Sequence, residues 1–121
     1  MTTTAAEQLA EVAVKGLEDK KGLEIVRLDL RDVEGAISDF FVICSGTSDK
    51  HVQALSRSVE DMLRKEENDK PINIEGYSAG EWVLLDYVNV VVHIFQRDRR
   101  DFFDIEGLWG DAEVKKYEEI H

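Results

Sequence analysis

Residues 5 to 20 place Leu9, Val12, Ala13 and Leu17 at helical spacing, with Glu7, Glu11, Lys15 and Glu18 between them. That pattern predicts an amphipathic helix, closed by Lys20-Lys21-Gly22, where cations meet the negative end of the dipole and a glycine follows. From 24 to 30, Val26, Leu28 and Leu30 alternate with Arg27 and Asp29, as in a strand with one buried face. Asp39 to Cys44 is a short continuous apolar run and predicts a central strand buried on both faces. Ser45-Gly46-Thr47-Ser48 turns the chain into a second helix, with Ser48 as N-cap and Asp49 in the first turn. Val52, Leu55, Val59, Met62 and Leu63 form its apolar stripe, and it runs to about Lys65.

A polar break ends at Pro71, the single proline. A short strand over 72–75 and a loop over 76–80 are expected next. Strands over 82–87 and 90–95, joined tightly at Val88-Asn89, read as a hairpin. Valine disfavours positive φ, so Asn89 is expected to take the left-handed position. Residues 98 to 109 crowd arginines with Phe102, Phe103, Ile105, Leu108 and Trp109, which suits a short helix or ordered turn that pins aromatics on the sheet edge. The charged tail 110–121 is expected to fray. The order αββαβββα implies an α/β fold, with a mixed sheet of about five strands flanked by helices. No repeat or linker divides the chain, so one domain over 1–121 is expected.

The 121 residues suffice for a core without staples. Cys44 is the lone cysteine, which excludes an internal disulfide and a cysteine-based zinc site. The formal net charge of −11 repels phosphate over the surface as a whole and favours a basic protein as partner over a nucleic acid. The start Met1–Glu7 has neither a basic nor an apolar leader pattern, and no apolar run approaches a membrane span. A cytoplasmic protein is expected.

Several constellations invite a chemical reading. The Ser45–Ser48 turn, between a buried strand and a helix, is a place where phosphates bind. It lacks the Lys-Ser/Thr of a P-loop and the further glycines of a dinucleotide fingerprint, and Asp49 would repel an anion. A nucleotide-binding or nucleotidyl-transferring enzyme using that turn is the rival reading; a capped strand-to-helix turn is the plainer one. Cys44 and His51 suggest a thiol and its base, but no third residue orients them, and a cysteine ending an apolar strand behaves as a small hydrophobe. Asp39, Asp49, His51 and His93 match no metal-ligand spacing. His93, in an apolar strand, is expected to be partly buried with a hydrogen-bonded partner. Arg97, Arg99 and Arg100 form a basic spot, with local pairing to Asp98, Asp101 and Asp104 as the plain expectation. Strand alternation puts Trp82, Leu84 and Asp86 on one face and Val83, Leu85 and Tyr87 on the other. An aromatic, an aliphatic and a carboxylate in one row fit an interface centre with a polar rim as well as they fit core.

Three blocks in order resemble one family. Ser38-Asp39-Phe40-Phe41-Val42-Ile43-Cys44-Ser45-Gly46-Thr47-Ser48-Asp49-Lys50-His51-Val52 resembles its signature. Glu75-Gly76, Trp82-Val83-Leu84-Leu85-Asp86-Tyr87 and Val91-Val92-His93-Ile94-Phe95 resemble the second block, and Arg100, Phe103, Asp104, Ile105, Glu106, Leu108 and Trp109 the closing one. The family is that of ribosomal silencing factors, the Iojap-related family, and the likeness covers roughly residues 5 to 109. It implies a nucleotidyltransferase-like fold without transferase activity, no cofactor and no metal. It also implies a translational repressor that binds the large ribosomal subunit through ribosomal protein L-fourteen and sterically blocks joining with the small subunit when nutrients are scarce. Homodimers of the free protein are implied as well. Residue by residue, Trp82, Leu84 and Asp86 match the family's exposed strand motif, and Tyr87, His93, Gln96, Arg100 and Phe103 match neighbouring positions. Val88-Asn89 stands where the family usually has Gly-Asp, and the tail after Trp109 has no clear counterpart.

Overall fold

The computed structural model describes residues 4–119. The expectation about the first residues, and the last two positions of the tail, lie outside them.

Helix α1 (Ala5–Asp19) starts at Thr4, whose Oγ1 accepts the Glu7 N–H at 3.1 Å. It ends as the Gly22 N–H reaches the Leu17 carbonyl at 2.9 Å. Strand β1 (Leu23–Asp29) leads to β2 (Phe40–Gly46), which is buried throughout, as its unbroken apolar run requires. Helix α2 (Asp49–Glu67) is capped by Ser48, whose Oγ accepts the His51 N–H at 3.1 Å, and stops at Asn68 with φ 51°. Strands β3 (Asn73–Glu75), β4 (Trp82–Asp86) and β5 (Val90–Gln96) follow. Short helices α3 (Arg97–Phe103) and α4 (Ile105–Leu108) are separated by Asp104 at φ 46°, and β6 spans Glu113–Lys116.

The sheet runs β3-β4-β5-β2-β1-β6. Among the described residues only β2 and β5 pair in parallel, so the mixed α/β sheet flanked by helices holds, with six strands there rather than about five. The sixth is the tail that charge alone suggested would fray. Backbone pairing with the otherwise open edge of β1 orders it, from Val26↔Lys116 to Asp29↔Glu113. One carboxylate then fastens it. Glu11 on α1 accepts from Arg27 at 3.0 Å, from Lys115 at 3.4 Å and from the Tyr117 hydroxyl.

Both long helices lie on one face of the sheet. The Ser58 hydroxyl of α2 donates to the Gly16 carbonyl of α1 at 2.6 Å, and a Cβ on Gly16 would sit 3.0 Å from Val59 Cα. The helices thus approach backbone to backbone. Beneath them Val42, Cys44, Val83, Leu85, Val90, Val92 and Ile94 are sealed from water. The second face carries Val26, Leu28, Phe41, Ile43, Val91 and Phe95. No long helix covers it: Val33 and Ala36 of the loop after β1, Ile105 of α4, and Trp109 pack there instead.

The β4–β5 turn departs from expectation. Val88, not Asn89, has positive φ, at 74°. The Asn89 N–H bonds the Tyr87 carbonyl at 3.0 Å, closing a γ-turn centred on Val88. Asp86 Oδ1 accepts the Val88 N–H at 2.8 Å, and this side-chain turn two residues on forces the geometry onto the valine.

Candidate functional site

Strand β4 alternates between half-buried and buried residues along its length. Trp82, Leu84 and Asp86 are half-buried on the face without long helices; Val83 and Leu85 are sealed on the other. Register extends the row across the sheet, with Trp82 beside Phe95, Leu84 beside His93 and Asp86 beside Val91. On the far side, His93 pairs with Ile43 and Val91 with Phe41.

Two glycines set where β4 begins. Gly76 has φ 79°, and a Cβ there would meet the Trp82 carbonyl at 2.0 Å. Gly80 has φ 67° and lies against Asp49, with Cα 3.0 Å from the position of a Cβ. Only glycine permits both the conformation and the approach. Gln96 then clips the loop: its Nε2 donates to the Gly80 carbonyl at 3.0 Å and its backbone N–H to the Glu81 carbonyl at 2.8 Å.

The tryptophan is fixed on three sides. Its ring stacks on Phe95 with centroids 5.1 Å apart and lies 4.6 Å from Phe103 of α3. Its Nε1–H donates to His93 Nδ1 at 3.1 Å. His93 is 4% exposed and meets the Phe41 ring edge-on at 4.6 Å. Accepting at Nδ1 makes it a neutral imidazole with its proton on Nε2, and that buried nitrogen has no partner among the described residues. Burial pushes its pKa down to about 4, which agrees with the neutral form.

Arg100 holds α3 and α4 against the sheet. It is 6% exposed. Nε and one terminal nitrogen clamp both Glu106 oxygens at 2.9 and 3.1 Å. The other terminal nitrogen donates to the Glu24 carbonyl at 2.6 Å and Ser45 Oγ at 3.0 Å. Local pairing with Asp98, Asp101 and Asp104 does not occur among the described residues; Arg99 reaches Glu81 at 3.2 Å instead. The short helices turn Arg100 toward β1 and β2 and Arg99 toward the loop before β4, and Arg100 keeps one local partner, Glu106.

Of the eight residues singled out in the sequence, Trp82, Leu84, Asp86 and His93 share one sheet face, Phe103 packs on Trp82, Gln96 ties the loop before Trp82, and Arg100 joins them only through α3, which carries Phe103. Trp82, Leu84, Asp86 and Phe103 present surface; His93, Gln96 and Arg100 lie beneath or beside them and position them. Tyr87 is separate. It points to the opposite face and is buried beneath the long helices, so no partner reaches its ring in this fold. Strand alternation itself separates it from Trp82. Sequence reasoning named Phe102 and Trp109 in the aromatic crowd after β5 but did not assign them to the site; Phe102 is 68% exposed and edge-on to Phe103 at 5.2 Å, and Trp109 lies 6.1 Å from Phe41. Their signal was the aromatic crowding after β5. Glu75 lies beside Leu84 across the β3–β4 ladder and adds a second carboxylate to that face, while Asn73 is the residue beside Asp86.

The Ser45–Ser48 turn has little to offer a phosphate. The Thr47 N–H donates to His51 Nδ1 at 2.9 Å, and the His51 N–H is taken by Ser48 Oγ. His51 Nε2 in turn reaches the Lys20 carbonyl at 2.9 Å, tying the turn to the end of α1. Cys44 is fully buried, and burial pushes its thiol up to about 12, far from a reactive thiolate. Among the described residues, no group of three or more His, Cys, Asp or Glu side chains is placed to hold a metal ion. No helix there is long and apolar enough to cross a membrane.

Fold and patch together define a mixed α/β module whose distinctive surface is an aromatic and aliphatic row edged by carboxylates. A family profile described as "Ribosomal silencing factor during starvation" matches residues 3–121, so the tail after Trp109 has a counterpart after all. The chain is 37% identical to the ribosomal silencing factor of Halalkalibacterium halodurans, over 94% of this chain and 96% of that one. It is 38% identical to that of Bacillus subtilis, over 86% of each. A crystal structure of a Chromobacterium violaceum protein superposes with a TM-score of 0.82 at 36% identity, covering 88% of both chains. The chain belongs to the ribosomal silencing factor family. Membership makes it a ribosome-associated regulator of translation.

Proposed function

We propose that this chain lowers translation by binding the large ribosomal subunit through ribosomal protein L-fourteen and covering the surface that the small subunit must meet. Trp82 and Leu84 supply the apolar centre of the contact. Asp86 supplies a carboxylate for a basic partner, and Phe103 widens the aromatic area. His93, Gln96 and Arg100 hold these groups in place. The effect is steric: no bond is made or broken, and no cofactor is required. It operates in the cytoplasm, and the whole chain acts as one domain.

The observation that carries the reading is the half-buried Trp82-Leu84-Asp86 row on the sheet face that the long helices leave open, in a chain of this family. A net charge of −11 supports a basic protein over RNA as the direct contact. The test is co-sedimentation with purified large and small subunits. Pelleting with the large subunit alone is expected; pelleting with neither, or with the small one only, contradicts the reading.

A further inference from the structure

Three aliphatic side chains stand in solvent at the end of the sheet where β4 turns into β5. Ile37 is 91% exposed, Ile72 69% and Val88 53%. Scattered exposed aliphatics are ordinary on protein surfaces. These three come from distant segments that hydrogen bonds gather at one rim. Ser38 Oγ donates to the Val88 carbonyl at 3.0 Å, and the Asp39 and Phe40 N–H groups donate to the Asn89 carbonyl at 2.9 and 3.1 Å. The Ile72 N–H donates to the Asp86 carbonyl at 2.7 Å.

The backbone at Val88 is the second observation. A β-branched residue at φ 74° is a steric outlier, and glycine would adopt it freely. Its exposed side chain contributes little to the core. The surroundings nevertheless hold it there, through the Asp86 carboxylate and the Ser38 hydroxyl. Strain kept at an exposed position points to a use for the side chain outside the fold.

Charge indicates the occupant. Asp86 and Asp39 flank the turn, and Glu67 and Asp69 line the shallow depression that reaches Asn89. Lys70 is the single cation in the segments 32–39 and 66–90. An apolar rim edged by carboxylates repels phosphate and anionic headgroups and suits a basic stretch of protein.

We propose that Ile37, Ile72 and Val88 form a second anchor strip along the sheet end that takes a basic segment of the protein partner, its apolar side chains lying along the rim and their cationic neighbours meeting Asp86 and Asp39. Asp86 ends the Trp82-Leu84-Asp86 row, so the two anchors are one continuous surface. The inference rests on reading that row as a docking face.

The test titrates purified large ribosomal subunits with the wild-type chain, the Ile37→Ser/Ile72→Ser double variant, Val88→Gly and Trp82→Ala, with a thermal melt of each. The double variant is expected to melt as wild type, because both side chains are exposed, and to bind about tenfold more weakly. Val88→Gly is expected to melt no lower than wild type and still to bind about threefold more weakly, since one apolar anchor is gone while the strain is relieved. Wild-type affinity in the double variant and in Val88→Gly, with Trp82→Ala weakened, overturns the second anchor and leaves the β4 row standing. A double variant that changes the sedimenting mass of the free protein but not its affinity also overturns it, by assigning the rim to contact between copies. Absence of binding by the wild-type chain removes the docking reading and the anchor with it.

Discussion

Leu84 and Leu85 are neighbours in the chain and opposites in the fold. Leu85 is fully buried among valines and isoleucines under two long helices; Leu84 is half-buried beside a histidine, a tryptophan and a carboxylate. The two faces of the sheet differ in the same way. The helix-covered face is aliphatic, apart from a few groups such as Tyr87, and dry. The other is aromatic, tied by an indole–imidazole bond and a buried guanidinium, and its β4 half stays open. The difference teaches how a period of two lets a strand build core and recognition surface together. Rigid aromatics suit the half-wet side because they keep an apolar body fixed with few rotatable bonds.

The contrast is open to attack by mutation. Leu85→Ala should cost about 3 kcal/mol of stability in urea unfolding, as expected for a large-to-small change in a closed core. Leu84→Ala should cost about 1 kcal/mol or less, because less of its surface leaves water on folding. It should instead weaken binding to large subunits. Equal stability losses would erase the distinction between the faces.

Trp82→Ala comes next, with an expected loss of about 2 kcal/mol or more in large-subunit binding. Trp82→Phe keeps an aromatic body and removes the donor to His93, so it should lose less. If both variants bind as wild type, Trp82 leaves the site.

His93 sharpens the comparison through pH. Its folded pKa of about 4 lies below the ordinary 6.5, so the unfolded chain takes up its proton first. The stabilisation is complete above pH 6.5 and is lost as pH falls from there through about 4. His93→Gln should flatten the slope of stability against pH across that window by up to one proton, read from urea midpoints at each pH. An unchanged slope would show that His93 is not held neutral.

The smallest effect concerns the tail. Tyr117→Phe removes the hydroxyl bond to Glu11 and should cost about 1 kcal/mol, with faster amide exchange along β6 than along β2.

The apolar run of β2, the alternation in β4 and the cap at Ser48 were legible because each is written in adjacent residues. The Trp82-Leu84-Asp86 row followed from alternation, and its meaning from family resemblance. Two features escaped because their causes lie far away in the chain. Arg100 finds Ser45 and the Glu24 carbonyl, 55 and 76 positions upstream, where spacing gives no hint. The tail is charged and reads as loose, yet an open edge on β1 and one carboxylate on α1 order it. Tyr87 follows Asp86 in the recognised motif, but one step along a strand turns it to the other face. Propensity favoured Asn89 for positive φ, and the Asp86 side-chain bond to the Val88 N–H overrode it.

The most direct measurement follows the joining of purified large and small ribosomal subunits by light scattering, with wild-type chain or folded Trp82→Ala added at equal concentration. Wild type is predicted to suppress the joined particle in proportion to its occupancy of large subunits, and the variant to leave joining nearly intact. Joining that proceeds unchanged with wild type bound, or equal suppression by the variant, contradicts the account.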